Sequence, residues 1–348
     1  MSIIFKSNGC SFLDHNNYIF NIYKNIPNNA ETYSYALSAK LFYILNNVHT
    51  VNRKRSKRDS SDDLHEEATK VRLKYERFLL EMEPGLKDKL CNNSDISNMK
   101  AVRDFSRELL ERTAFTHVGT NGGNNSERSV RCNVENEEFL IPYNSRFYCS
   151  CVIKQCHELA GYKYDIVIAD PPWWNKYIRR LKETNNKLSY SMMYNEDIAS
   201  IPVKTLLADN SIVAVWCTNS PSNITAVKNL IFPSWGVEYV ATWYWMKVDI
   251  QLKPLCPFST GSKKQPYERL IIGKVGEVNH VPDDYLFMSV PSALHSHKPP
   301  LIDLLKEYVK KENPDILELF ARYLLPNTTS VGYEPLKLQH ISLYEVVS

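Results

Sequence analysis

Residues 165–174 read Asp-Ile-Val-Ile-Ala-Asp-Pro-Pro-Trp-Trp, an apolar run that stops at a carboxylate and two prolines. Such a β-branched run, apolar at every position, suits a strand covered on both faces, as in a parallel sheet. Comparable runs at Ile212–Cys217, Leu270–Ile272 and Ile316–Phe320 are separated by helix-like segments. Pro299 and Pro300 open one of these segments, and Leu301, Leu304, Leu305 and Tyr308 follow along one face. Strands alternating with helices predict a doubly wound α/β sheet, whose ligands sit at the carboxyl ends of its strands. Chemistry is therefore expected just after each run, and first at Asp170-Pro171-Pro172-Trp173.

Each residue of that turn has a use if the task is methylating an exocyclic amine on a planar base. Such an amine is a poor nucleophile because its lone pair is delocalised into the ring. A carboxylate accepting one N–H, with a backbone carbonyl accepting the other, draws the nitrogen toward tetrahedral geometry. Asp170 supplies the carboxylate and the Pro171 peptide carbonyl the second acceptor. Pro171 and Pro172 have no N–H to compete for the acceptors and hold them at fixed φ. Trp173 offers a flat face on which a base can stack, worth about 1–3 kcal/mol. The plainer alternative is a strand ending at a proline turn over a core tryptophan.

At these residues the chain resembles the DPPW family of adenine N6-methyltransferases, and in particular its methyltransferase-like protein four branch. The likeness runs from about Phe139 onward. It rests on ADPPWWNK (169–176), PSW (233–235), KKQPYERLIIGK (263–274), SVPSALHSHKPPL (289–301) and ELFAR (318–322). The resemblance implies a Rossmann-like class I methyltransferase fold with permuted motif order, the catalytic turn preceding the strand that binds the cofactor. It implies S-adenosylmethionine as methyl donor and adenine N6 in RNA or DNA as acceptor. It assigns Lys298 to the donor's carboxylate, makes Phe320 and Arg322 cofactor-pocket residues beside Asp170, and adds Glu334 and Cys151. The chain departs from the family at Tyr333, Thr328, Trp174 and Cys151. Cys151 stands where an acidic residue helps hold the adenosine end of the donor.

Read from the residues alone, Lys298 before a proline-opened helix is either an anion site or an ordinary surface lysine. Glu318 either faces the donor's hydroxyls or pairs with Arg322 at i+4. His295 and His297 read as loop residues. Cys149, Cys151, Cys156 and His157 lack a standard zinc spacing, so no metal is expected.

After the catalytic turn come Asn175, Lys176, Arg179, Arg180, Lys182, Lys187 and Tyr190, with Tyr194 beyond, and Lys253, Lys263 and Lys264 form a second cationic loop. Cations interleaved with aromatics beside a base-modifying turn suit phosphate contacts and base stacking; a solvated loop is the plain alternative. Trp243 and Trp245 read as core. An adenine amine is inaccessible in a stacked duplex, so the acceptor must be unpaired or flipped out.

Three composition zones divide the chain: residues 1–60 with a helix expected over Thr32–Leu45, a helical domain at 61–127, and the Rossmann-like domain at 128–348. The run 53–58 (RKRSKR) is either a solvated linker or a nuclear-import signal or nucleic-acid arm. In the second zone Val71, Tyr75, Phe78, Leu79 and Met82 share a helical face, as do Val102, Phe105 and Leu109. The stretch Asn121–Ser126 (NGGNNS) is expected to be a boundary loop. With 43% hydrophobic and 23% charged residues in 348, wholesale disorder is excluded. No apolar run reaches membrane-spanning length and no secretory leader is evident. The eight cysteines are too dilute for a disulfide scaffold, and a net charge of +3 leaves nucleic-acid affinity to local patches.

The reading is an intracellular, nuclear or additionally cytosolic, monomeric enzyme that methylates adenine N6 in RNA. A spliceosomal small nuclear RNA, at a 2′-O-methylated adenosine, is the acceptor to which the branch resemblance points. The alternatives are a DNA adenine methyltransferase and a catalytically weak nucleic-acid-binding scaffold of the same fold.

Overall fold

The computed structural model describes residues 2–28, 31–45, 62–91, 99–113, 117–174, 192–259 and 264–347. Its centre is strand β9 (Tyr164–Ala169), paired in parallel with β10 (Leu207–Cys217) on one side and β14 (Ile316–Leu319) on the other. Side chains alternate across a strand. Ile166 and Ile168 therefore join one core with Ile212, Ala214 and Ile316. Val167 and Ala169 join another with Val213, Val215, Leu317 and Leu319. Both faces are covered, which is why the run carries no polar residue.

Beyond β14 the sheet continues in parallel through β15 (Thr328–Gly332) and β8 (Ser145–Cys149), and β5 (Asn121–Asn124) closes that edge antiparallel. On the far side of β10, strand β12 (Tyr267–Val275) runs antiparallel to both β10 and β11 (Glu238–Lys247). Then come β13 (Leu286–Ser289), β2 (Cys10–Leu13) and β1 (Ile3–Ser7), completing an 11-stranded order β1-β2-β13-β11-β12-β10-β9-β14-β15-β8-β5. The Leu270–Ile272 run thus belongs to an antiparallel strand. Two-sided burial, not strand direction, produces a continuous apolar run.

Two expectations near the chain's first half are corrected. Thr32–Leu45 is not a helix. It forms β4 (Glu31–Leu37) and a single turn at Ala39–Phe42. Tyr35 and Leu37 are buried two apart, the period of a strand, and β4 pairs with β3 (Ile26–Asn28) and β16 (Tyr344–Val347). The stretch from Asn121 is not a loop but begins with β5. A Cβ on Gly123 would lie 2.3 Å from the Ser145 carbonyl oxygen, so glycine permits the strand to approach. A hairpin of β6 (Val130–Val134) and β7 (Glu137–Ile141) follows.

Helices α1 (His15–Ile22), α2 (Asp62–Glu81), α3 (Pro84–Cys91) and α4 (Met99–Arg112) do not build a core of their own. Val71, Tyr75, Phe78 and Met82 of α2 pack with Phe12, Tyr244, Met246 and Leu286 of the sheet. Leu109 of α4 packs with Leu37, Leu294 and Tyr323. The helices of the first two zones therefore pack on the third, and β1, β2 and β5 extend its sheet. Among the described residues no helix is long and apolar enough to cross a membrane.

Candidate active site

Strand register sets the site. Ala169 lies abreast of Val215 and Leu319, and Val331 abreast of Leu319 and Tyr148. The next residues therefore emerge side by side at the carboxyl edge: Trp216, Asp170, Phe320 and Gly332. The Asp170 N–H donates to the Leu319 carbonyl at 3.3 Å, and the Ala321 N–H to the Val331 carbonyl at 3.0 Å. β10 and β14 leave β9 on opposite sides, making this the switch point at which doubly wound sheets hold ligands.

The turn is tight. The Trp173 N–H donates to the Pro171 carbonyl at 2.8 Å, and the Met193 N–H to the Pro172 carbonyl at 2.9 Å. The Pro171 oxygen keeps a second lone pair for an incoming donor. The Trp173 indole is mostly buried and donates Nε1–H to the Trp216 carbonyl at 2.9 Å, so its role as an open platform is limited to the edge that lines the cavity described next. Trp174 stacks instead on exposed Tyr194, with ring centroids 5.9 Å apart. Trp243 and Trp245 are core.

Asp170 is the shared wall of two cavities. The first, about 240 Å³, is lined by Cys151, Phe320, Arg322, Tyr333 and Glu334, with Val152, Ile153 and Met193 as apolar walls. The second, about 290 Å³, is lined by Trp173, Trp216, Asn219, Lys264, Glu268 and Lys298. Cys151, Phe320, Arg322 and Glu334 are thus brought together with Asp170 around one cavity. Lys298 lines the second cavity, not the first.

The first cavity fits S-adenosylmethionine in its chemistry. Apolar walls suit an adenine ring, and the Asp170 and Glu334 carboxylates suit ribose hydroxyls and a sulfonium. Phe320 has φ 63°, a left-handed conformation that a bulky side chain adopts at a cost of about 1–3 kcal/mol. A Cβ on Gly332 would stand 3.0 Å from Ala321 backbone atoms, so glycine lets this strained turn close against β15. Cys151 precedes α5 (Val152–Glu158). Burial raises its thiol, but the Lys154 N–H, the Tyr333 hydroxyl and the Ile153 N–H outweigh that and bring it below the usual thiol range. Glu334 also pairs with Lys337 at 2.8 Å.

The second cavity carries a charge network that sequence reasoning missed. Lys298 Nζ lies 2.5 Å from Glu268 Oε2 and 3.7 Å from Asp170 Oδ1, and Lys247 pairs with the other Glu268 oxygen. Burial opposes ionisation of Glu268, yet the two ammoniums hold it at about 2. Burial pushes Asp170 up, and Lys298 and Arg322 oppose that. Lys298 is held there by carboxylates rather than by a helix dipole; the segment after Pro300 is one α-helical turn, Ile302–Leu305, continued as a 3-10 turn through Tyr308. Glu268 sits inside KKQPYERLIIGK, and the available signal was a carboxylate interrupting an apolar strand.

Glu318 lies in β14 and Arg322 beyond its end, so their spacing of four is not one turn of a helix. Burial, then Asp170, pushes its carboxyl up to about 8. His297 is buried against His15 and Tyr323, and burial pushes it down to about 3. Asn175, Lys176, Arg179, Arg180, Lys182, Lys187, Tyr190, Lys263 and the 53–58 run lie outside the described residues. Lys264 is exposed at the second cavity.

Residues 164–334, which run from β9 to Glu334 and leave out Cys151 and α5, match the MT-A70 family. Over 362 residues the chain is 30% identical to the Caenorhabditis elegans protein named DNA N6-methyl methyltransferase, covering 94% of this chain and 96% of that one. The chain belongs to the MT-A70 family. It is also similar to human N(6)-adenine-specific methyltransferase METTL4, 37% identical over 239 residues, 64% of this chain and 48% of the relative. A third relative, the Cryphonectria parasitica protein named N6-methyladenosine RNA methyltransferase MTA1, is 33% identical over 181 residues, 51% of this chain and 53% of the relative. The chain spans about half the length of the human relative.

Proposed function

We propose that this chain transfers a methyl group from S-adenosylmethionine to adenine N6 in RNA, in the nucleus, with a small nuclear RNA carrying a 2′-O-methylated adenosine as acceptor. The observation that carries the reading is Asp170, one carboxylate serving as the wall between a donor-like cavity and a second cavity at a strand's carboxyl end. S-adenosylmethionine supplies an electrophilic methyl carbon on a sulfonium. Asp170 and the free lone pair of the Pro171 carbonyl accept the two amine hydrogens and direct the nitrogen lone pair toward the neighbouring cavity. Phe320, Arg322, Glu334 and Cys151 hold the donor's nucleoside end, and Lys298 serves the donor's carboxylate from beside Asp170. The cations from Lys176 to Lys187 supply phosphate contacts that are independent of sequence and weaken with salt. A single chain suffices in this reading.

DNA is the second reading, favoured by the nearly full-length match to a worm protein named for DNA methylation. Incubation with labelled donor and matched RNA and single-stranded DNA oligonucleotides, followed by nucleoside mass spectrometry, separates the two. Label in N6-methyladenosine of RNA supports the proposal, and label in DNA alone replaces it. Folded protein that neither labels an oligonucleotide nor binds S-adenosylhomocysteine by calorimetry is the scaffold instead.

A further inference from the structure

Arg269 on β12 is 1% exposed, and its guanidinium is shared between two partners on different elements. Its Nε donates to Glu67 Oε2 of α2 at 3.1 Å and its Nη2 to Glu67 Oε1. Glu67 also accepts the hydroxyls of Tyr267 at 2.9 Å and Tyr244 at 3.1 Å, so its carboxylate is saturated and fixed. The remaining arm of Arg269, Nη1, donates to Asn219 Oδ1 at 2.6 Å. Asn219 follows β10 at the carboxyl edge and lines the second cavity with Asp170 and Trp173.

A guanidinium has only donors, so the amide oxygen of Asn219 must face it, and the amide NH₂ must face away. The orientation of Asn219 is thereby set from a helix that lies more than 150 residues earlier in the chain. An amide donor has a use in a cavity whose wall includes the Asp170 carboxylate proposed to take an amine. Adenine presents its amine beside a ring acceptor, N1 on one edge and N7 on the other, whereas guanine places an acceptor, O6, where the amine would be.

We propose that Asn219 is a specificity-determining residue whose NH₂ donates to the ring nitrogen next to the adenine amine, with Arg269 and Glu67 as its positioning residues. The inference rests on the methyltransferase reading above. The acceptor pocket is then read as a donor–acceptor pair, the carboxylate taking the amine and the amide giving to the ring. Loss of such a contact lowers discrimination roughly 5- to 100-fold.

The test uses the full chain and single-stranded oligonucleotides carrying adenosine, 1-deazaadenosine or 7-deazaadenosine at the target. In the unaltered protein, one of the two deaza substitutions is expected to lower kcat/KM about tenfold beyond the other. In Asn219→Ala that penalty is expected to shrink to near unity while methylation of adenosine itself falls by a similar factor. Asn219→Asp keeps the Arg269 contact but offers an acceptor, and it is expected to lose adenosine methylation at least as severely while remaining folded. Deaza penalties unchanged by Asn219→Ala, or full activity in Asn219→Asp, overturn the inference alone. Unaltered protein inactive on every oligonucleotide overturns the methyltransferase reading and the inference with it.

Discussion

Lys298 Nζ stands 3.7 Å from Asp170 Oδ1, so the ammonium proposed for the donor's carboxylate also stabilises the carboxylate proposed for the acceptor's amine. Burial pushes Asp170 up, and Lys298 is the largest influence in the other direction. Replacing Lys298 with Met should therefore raise Asp170 further. Methylation needs Asp170 ionised, so the acidic limb of the pH–rate profile is expected to move to higher pH in Lys298→Met. An unmoved limb would argue that the two groups do not interact. Asp170→Ala is expected to abolish transfer while nucleic-acid binding persists in a filter or anisotropy assay.

Glu268 separates two ammoniums. Glu268→Gln leaves Lys247 and Lys298, with side chains 24% and 16% exposed, facing each other with Asp170 beside Lys298 as the remaining counter-charge. Removing one partner of a buried charge network costs about 2–4 kcal/mol after allowance for that exposure. Urea denaturation should report the loss, and Lys247→Gln in the Glu268→Gln background should recover part of it.

Glu318 gives a signature of opposite sign. Its folded carboxyl, pushed by burial to about 8, binds a proton that the unfolded chain releases near 4.5. Between those values the native state holds more protons than the unfolded state, so this group makes stability fall as pH rises, by at most about 1.4 kcal/mol per pH unit. Glu318→Gln is expected to match the unaltered protein at pH 4 and to exceed it at pH 8 in thermal unfolding. Equal pH dependence of the two proteins would count against a buried, protonated Glu318.

Cys151 lines the donor cavity with a thiol lowered by the Lys154 and Ile153 N–H groups and the Tyr333 hydroxyl, against the pull of burial. Iodoacetamide should label it ahead of Cys149 and Cys156, which burial pushes up to about 12. S-adenosylhomocysteine should protect it, as read by peptide mass spectrometry. Labelling that ignores the ligand would place donor binding elsewhere.

What could be read from the chain and what could not divides along a physical line. The strands around Ile166–Ala169 and Ile212–Cys217 were legible because two-sided burial writes itself into local composition. Asp170 and its prolines were legible because their chemistry is local to four residues. Asn219, Glu268 and Arg269 were not singled out, because each gains its role from the register between β10 and β12, strands distant in the chain. Glu67 looked like one more charge on an amphipathic helix. The glycines before Asn124 read as a loop because the need for them, a carbonyl 2.3 Å from where a Cβ would stand, is tertiary. Thr32–Leu45 was expected as a helix, although Tyr35 and Leu37, two apart, share a face only on a strand.

The order of strands has a consequence for synthesis. β10, which carries the acceptor wall, leaves the ribosome soon after β9, whereas β14, the other neighbour of β9, begins only at Ile316. A nascent chain halted in between holds Asp170 on a strand with one edge bare, ready to pair with the wrong partner. Truncation, frameshift or ribosome stalling before that point should therefore give a species that aggregates rather than a half-active enzyme.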